Sequence, residues 1–97
     1  MPMTLPATVT LREADEVVRA LTQALQGGGG DAAVTVDASA LQHFDSSALA
    51  VLLECMRRAQ AAGKSFTVRQ APAKLVDLAR LYGVEGLLTL EPVAAAA

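Results

Sequence analysis

Three stretches of the chain carry apolar residues at the three- and four-residue spacing that places them on one face of an α-helix. The first covers residues 11–26, the second runs from Asp45 to Gly63, and the third from Pro72 to Gly83. Their apolar positions are Leu11, Ala14, Val18, Leu21 and Leu25; Leu49, Leu52, Leu53, Met56 and Ala59; and Leu75, Leu78, Ala79 and Tyr82. We predict three amphipathic helices that turn these stripes toward a common core.

Residues typical of helix ends border these stretches. Thr10-Leu11-Arg12-Glu13 matches a capping box, in which the threonine side chain accepts from an amide N–H and the glutamate reaches back. Asp45-Ser46-Ser47 supplies residues that commonly cap a helix. Gly27-Gly28-Gly29-Gly30 lacks the spacing and the lysine of a phosphate-binding loop, so we interpret it as a flexible helix-to-strand connection.

The segments between the helices have the apolar patterns of short β-strands. Residues 33–37, 65–69 and 87–90 are predicted strands. Two prolines restrict residues 1–9 to an edge strand or an extended arm, because proline cannot donate to a sheet. Strands that alternate with helices favour right-handed crossovers. We therefore predict an α/β fold, a small mixed and mainly parallel sheet packed against about three helices.

The length of 97 residues corresponds to one domain, too small for the interior cleft that most small-molecule enzymes need. We expect a single domain over residues 1–97, with an ordered core over about 4–91 and a flexible tail over 92–97. Exposed strand edges of so small a sheet can pair with one another, which would give a weak homodimer.

The net charge of −2 argues against nucleic-acid binding, which normally requires a basic stripe. The charge is uneven: residues 1–54 hold two bases and seven acids, and residues 55–97 hold six bases and three acids. The longest apolar run, Ala48 to Leu53, is too short to cross a membrane, and a signal-peptide pattern is lacking. We expect a soluble cytoplasmic protein without direct membrane insertion.

The side chains with catalytic potential favour non-catalytic interpretations. His43, the single histidine, lies beside Asp45 and a serine, but the members of a catalytic triad meet through the fold rather than as sequence neighbours. Cys55 lies inside the second helix and is interpreted as an inert, partly buried thiol. Asp31, Asp37 and Asp45 could bring two carboxylates together, although solvated loop acids and a helix cap are favoured. We expect no enzyme activity, cofactor or metal.

The segment Asp45-Ser46-Ser47-Ala48-Leu49 places small polar residues where a helix begins. The free amides of a helix start point outward, so a hydroxyl there is exposed and close to donors that favour an anion. The helix dipole would partly compensate a phosphate on Ser46, and Asp45 would oppose it. The alternative interpretation is an ordinary N-cap.

This segment resembles the signature of STAS domains, a family that includes the anti-anti-sigma factors and the small subunit of the Mla phospholipid ABC transporter. Val34-Thr35-Val36-Asp37 resembles the central strand of the family, and Gly63-Lys64-Ser65-Phe66-Thr67-Val68 resembles its next helix-to-strand junction. Leu75-Val76-Asp77-Leu78-Ala79-Arg80-Leu81-Tyr82-Gly83-Val84 is particularly similar to the Mla subunit. The resemblance covers roughly residues 4–91.

The resemblance implies a non-catalytic interaction module. In the Mla case, the subunit binds the cytoplasmic ATPase, and through it the permease, and supports a transporter that maintains outer-membrane lipid asymmetry. In the sigma-factor case, a serine kinase that is itself the anti-sigma factor phosphorylates the position that corresponds to Ser46. In both cases Asp45 would hold the loop, and Ser47 would border the docking surface.

Two departures favour the transporter alternative. Ala48 stands where anti-sigma antagonists usually have glycine. The N-terminal sequence offers only Leu5 to Leu11 before the first helix and lacks the Gly-Glu-Leu-Asp-type turn of the strand pair that is usual in the family, so we do not expect that pair here. We expect a cytoplasmic subunit that is peripheral to the inner membrane through its partner. The expected docking residues are His43, Asp45, Ser46, Ser47 and Leu49. Ser46→Glu or Leu49→Arg is expected to weaken the complex and to leave the domain folded; the alternative function is that of an anti-anti-sigma factor.

Overall fold

The computed structural model describes residues 2–27 and 33–92 of the 97-residue chain. The elements follow one another as β1 (Pro2–Thr4), β2 (Thr8–Val9), α1 (Ala14–Gly27), β3 (Ala33–Asp37), β4 (His43–Phe44), α2 (Ser47–Ala61), β5 (Ser65–Ala71), α3 (Ala73–Leu81), α4 (Glu85–Leu88) and β6 (Leu90–Pro92). The predicted glycine connection (from Gly28 onward) and the predicted tail (from residue 93 onward) lie outside the described residues. Pro92, which the prediction placed in the tail, ends β6.

The main sheet has four strands in the order β1-β3-β5-β6, and each neighbouring pair is parallel. β1 is therefore an edge strand, which confirms the interpretation of the proline-containing arm. A second, two-stranded sheet pairs β2 with β4, also in parallel. The α/β fold with a mainly parallel sheet is thus confirmed, and in the described part of the chain the pairing is parallel throughout.

Only one face of the main sheet is covered. Met3, Val36 and Val68 are aligned across three neighbouring strands, and all three are buried. The next residues along these strands are Thr4, Asp37 and Arg69; they are aligned in the same way and are exposed or half-buried. Because successive side chains of a strand point to opposite faces, the helices must pack on the first face alone. The sheet and helices form a one-sided α/β layer.

The capping box before α1 is present with one change. The Glu13 carboxylate accepts from the Thr10 backbone N–H at 2.9 Å and from the Thr10 hydroxyl at 2.6 Å. The Glu13 amide donates to the Thr10 carbonyl at 3.0 Å instead of to the threonine side chain. The predicted hydrogen bond from the Thr10 N–H to the Glu13 carboxylate is confirmed. The Thr10 hydroxyl, predicted to accept from an amide, donates to the Glu13 carboxylate instead.

Two residues assigned to helix stripes are exposed. Leu11 is 79% exposed because residues 11–13 form a turn and α1 begins only at Ala14. Val17, which the predicted stripe omitted, is buried instead. Tyr82 is 58% exposed, since α3 ends at Leu81 and the chain turns at Gly83, whose φ of +72° lies in the left-handed region.

The predicted strand over residues 87–90 was wrong for its first three residues. Residues 85–88 form α4, and the strand begins at Leu90. Leu88, the last residue of α4, is fully buried. Thr89, which follows the helix, has a left-handed φ of 48°. Two adjacent leucines show no helical or strand periodicity, so the sequence alone does not distinguish a buried strand from one buried turn of helix here.

No helix within residues 2–27 and 33–92 combines the length and the apolar character that a membrane-crossing segment requires.

The burial pattern of α1 can be tested by alanine substitution. Leu21→Ala should reduce the free energy of unfolding by about 2–5 kcal/mol, because it leaves a cavity in the core. Leu11→Ala should change it by about 0.5 kcal/mol or less, because the side chain is exposed. Urea unfolding followed by circular dichroism measures both variants. Equal losses would contradict the start of α1 at Ala14.

Candidate protein-docking site

The chain that enters α2 is fastened to the N-terminal arm. Thr8 pairs with His43, and Val9 pairs with Phe44, in the two-stranded sheet. The Asp45 backbone N–H then donates to the Val9 carbonyl at 3.4 Å. Backbone pairing thus fixes the position from which the helix starts.

Asp45 closes the turn at the start of α2. Its carboxylate accepts a hydrogen bond of 2.8 Å from the Ser47 backbone N–H, and the Leu11 backbone N–H adds a weaker interaction. The Ser47 bond holds the pKa of Asp45 below its ordinary value, because hydrogen bonds to the charged form favour that form. The carboxylate is therefore ionised at neutral pH and committed to the geometry of its own loop.

Ser46 occupies the N-cap position without capping the helix. Its backbone is already helical, with φ −62° and ψ −15°, and its side chain makes no capping hydrogen bond. Asp45, one residue earlier, supplies the hydrogen bond to the helix start instead, in agreement with its interpretation as a helix cap. The Ser46 side chain is exposed at the N-terminal end of α2, where the helix dipole is positive.

An apolar groove of about 260 Å³ begins at Ser46. α2 contributes one wall, and the turn between α3 and α4 contributes the other. The lining residues are Ser46, Leu49, Ala50, Leu53, Tyr82 and Val84. The α2 residues recur at three- and four-residue spacing and so share one side of the helix. An exposed hydroxyl thus lies at the end of a solvent-facing apolar strip.

Residues that neighbour both walls of this groove in sequence form ion pairs. Glu54, next to the lining residue Leu53, binds Arg57 at 2.6 Å and Arg58 at 2.7 Å. On the α3–α4 side, Arg80 pairs with Glu85 at 3.2 Å. An apolar centre with a polar rim is the composition of a protein–protein interface.

The structure places the five predicted docking residues in different environments. His43 is exposed in β4, and Asp45 is exposed in the turn that follows. Ser46 is exposed at the groove, and Ser47 is half-buried as the first residue of α2. Leu49 is only 4% exposed and belongs to the core, although its edge lines the groove. An arginine at this position would be buried without a partner. Leu49→Arg is therefore expected to unfold the domain, contrary to the sequence-based expectation.

The predicted docking residues include only two of the six groove residues, Ser46 and Leu49. Ala50 and Val84 were not selected, and Leu53 and Tyr82 were assigned to the apolar stripes of the second and third helices. The available signal was Gly83, which ends α3 and therefore removes Tyr82 from the helical period. Neither the sequence pattern of α2 nor that of α3 indicates that the turn after α3 lies beside α2.

The groups considered for catalysis have structural roles. Cys55 is fully buried, and burial raises its pKa to about 11, so the thiol stays protonated and inaccessible. Asp37 accepts from the Ser39 N–H at 2.8 Å, as Asp45 does from Ser47, so each acid closes its own turn. Asp31 lies outside the described residues. Among the residues that are described, no three His, Cys, Asp or Glu side chains gather at metal-binding distance.

Comparison with known proteins identifies the family of the chain. The family model described as "Mlab, STAS domain" matches residues 2–90, almost the whole chain. The chain belongs to the STAS domain family. A search of curated proteins returned no match. STAS domains are in general non-enzymatic binding or regulatory domains, which agrees with an apolar groove beside an exposed hydroxyl.

The role of Asp45 can be tested through its titration. Since the hydrogen bond lowers its folded-state pKa, Asp45 stabilises the fold at pH values above its unfolded pKa of about 3.9. This contribution is lost as the pH falls through the folded pKa. A carbon-detected NMR titration should give a midpoint below about 3.9.

Asp45→Ala should accelerate amide hydrogen exchange at Ser47, whereas Asp45→Asn keeps an acceptor and should preserve most of the protection. A normal titration midpoint together with unchanged exchange in Asp45→Ala would show that the carboxylate does not hold the loop.

Proposed function

We propose that this STAS domain is a cytoplasmic subunit of an Mla-type phospholipid ABC transporter. It docks on the ATPase subunit through the groove that begins at Ser46, and it contacts the permease only through that ATPase. In this role it supports the assembly or activity of a transporter that maintains outer-membrane lipid asymmetry. It remains peripheral to the inner membrane.

The observation that carries the proposal is the exposed apolar groove at the start of α2. Tyr82 is 58% exposed at the margin of this groove. Tyrosine is among the residues enriched in the energetic centre of interfaces, because its ring buries a large area and its hydroxyl can pair at the edge. The family match described as "Mlab" supports a transporter partner.

The geometry of Ser46 supports contact with a partner at the helix start. The hydroxyl is exposed, and Asp45 rather than Ser46 supplies the capping interaction. The hydroxyl can therefore donate to or accept from another protein without loss of a bond within the domain. The same exposure would also give a kinase access to Ser46, which is the observation that favours the anti-anti-sigma alternative.

The test combines purification from native cells with variants of the groove. The tagged full-length protein is purified from solubilised membranes, and its partners and the state of Ser46 are determined by mass spectrometry. We expect an ABC ATPase and its permease, with Ser46 unmodified. Ser46→Glu and Tyr82→Ala should each weaken binding to the purified ATPase about 30-fold, which corresponds to a hot-spot loss of about 2 kcal/mol.

Matched controls separate docking from folding. Ser39→Glu places the same charge on an exposed loop residue outside the groove, and Leu81→Ala removes an exposed apolar side chain next to Tyr82. Both controls should bind like the original protein. Recovery of a soluble kinase with phosphorylated Ser46, and no ATPase, would replace the proposal by the anti-anti-sigma function. Full ATPase binding by both groove variants would exclude this surface.

A further inference from the structure

A second groove, of about 420 Å³, lies between the N-terminal arm and α1. Its lining residues are Thr4, Leu5, Pro6, Thr8, Glu13, Glu16, Val17, Ala20 and Leu21, and none of them lines the groove at Ser46. Leu5, Val17 and Leu21 are core residues whose edges form an apolar floor, and Ala20 is exposed beside them. This groove is therefore a separate surface.

The charge of this groove has one sign. Glu13 and Glu16 lie three residues apart, so both carboxylates are on the same side of the chain entering α1, and the lining contains no basic residue. Hydrogen bonds from Thr10, with a smaller effect of Arg12, lower the pKa of Glu13 and keep it ionised at neutral pH. Glu16 is exposed, and within residues 2–27 and 33–92 no basic side chain forms an ion pair with it.

We propose that this groove binds an extended segment of a partner protein in which an arginine or lysine lies next to apolar residues. The alkyl stem of such a side chain covers the apolar floor while its cation reaches the two carboxylates. The residues that the structure does not describe, residues 1, 28–32 and 93–97, contain no lysine or arginine, so they offer no such side chain to this groove. The cation belongs to the partner protein.

The backbone of β1 favours an extended segment. β1 is an edge strand, and the Leu5 N–H donates inward to the Asp37 carbonyl at 2.9 Å. Consecutive residues of a strand direct their backbone N–H and C=O groups to opposite edges of that strand. Since those of Leu5 point toward β3, the N–H and C=O of Thr4 point to the unpaired outer edge, beside the groove. A partner strand can pair with this edge at Thr4 but not at Pro6, which has no N–H. Specificity then depends on the side chains in the groove.

The test titrates the isotopically labelled full-length protein with the probe peptide acetyl-Ala-Leu-Arg-Leu-Ala-amide, followed by NMR. We expect the amide signals of residues 4–8 and 13–21 to shift. Glu16→Gln should weaken binding about fivefold, the factor that corresponds to a surface ion pair of about 1 kcal/mol. Ala20→Arg should abolish binding, because its side chain occupies the floor and neutralises the carboxylates.

Two variants on the same helix serve as controls. Asp15→Asn removes a carboxylate, and Ala24→Arg adds a guanidinium, at exposed positions outside the groove; both should bind normally. Peptides with glutamine for arginine, or with glycine for both leucines, should bind more weakly. The proposal is overturned if these peptides bind equally well, if the controls lose binding to the same extent, or if the shifts lie elsewhere.

Concentration-dependent shifts of the same amides without peptide would assign the groove to a second copy of the chain and would also overturn the proposal. A dispersed spectrum of each variant establishes that it is folded. Ser46→Glu and Tyr82→Ala should leave peptide binding unchanged, so the outcome here is independent of the transporter proposal.

Discussion

The burial of one side of α2 is the constraint from which the candidate site follows. Ala48, Leu52, Cys55 and Ala59 are buried at the spacing of a single helical stripe, and the sheet accepts helices on one face only. Because this stripe is committed to the core, the side of α2 that carries Ser46 and Ala50 must face outward. The turn after α3 then packs beside that outward side and converts a helix surface into a groove.

The start of α2 is held by hydrogen bonds, from the distant N-terminal arm and from its own turn. The β2–β4 backbone pairs bring the arm to the loop, and Asp45 satisfies the Ser47 amide. Each such bond contributes only about 1 kcal/mol to stability, but together they fix where the helix begins. This arrangement leaves the Ser46 hydroxyl outside the internal network, so a partner or a modification at Ser46 need not break a bond that holds the domain.

The two grooves differ in the chemistry that they present. The groove at Ser46 is apolar, and residues next to its lining form ion pairs, as expected for a broad protein interface. The groove at Glu16 is lined by two carboxylates and no basic side chain, and it adjoins a strand edge, as expected for a site that binds a short extended segment. A small domain can thus carry two recognition surfaces, because each surface uses side chains, or edges of side chains, that the core does not cover.

The sequence by itself determined the α/β order of elements, the edge position of the arm, the return of Glu13 in the capping box and the boundaries of the second helix. These features depend on local periodicity, proline chemistry and helix-end residues, all of which operate within a few positions of the chain. Only the tertiary structure decided that Leu11 and Tyr82 are exposed, that Leu87 and Leu88 belong to a helical turn, and that Tyr82 meets the side of α2 that carries Ser46. Whether an apolar side chain is covered depends on what packs against it from distant segments, and no local pattern contains that information.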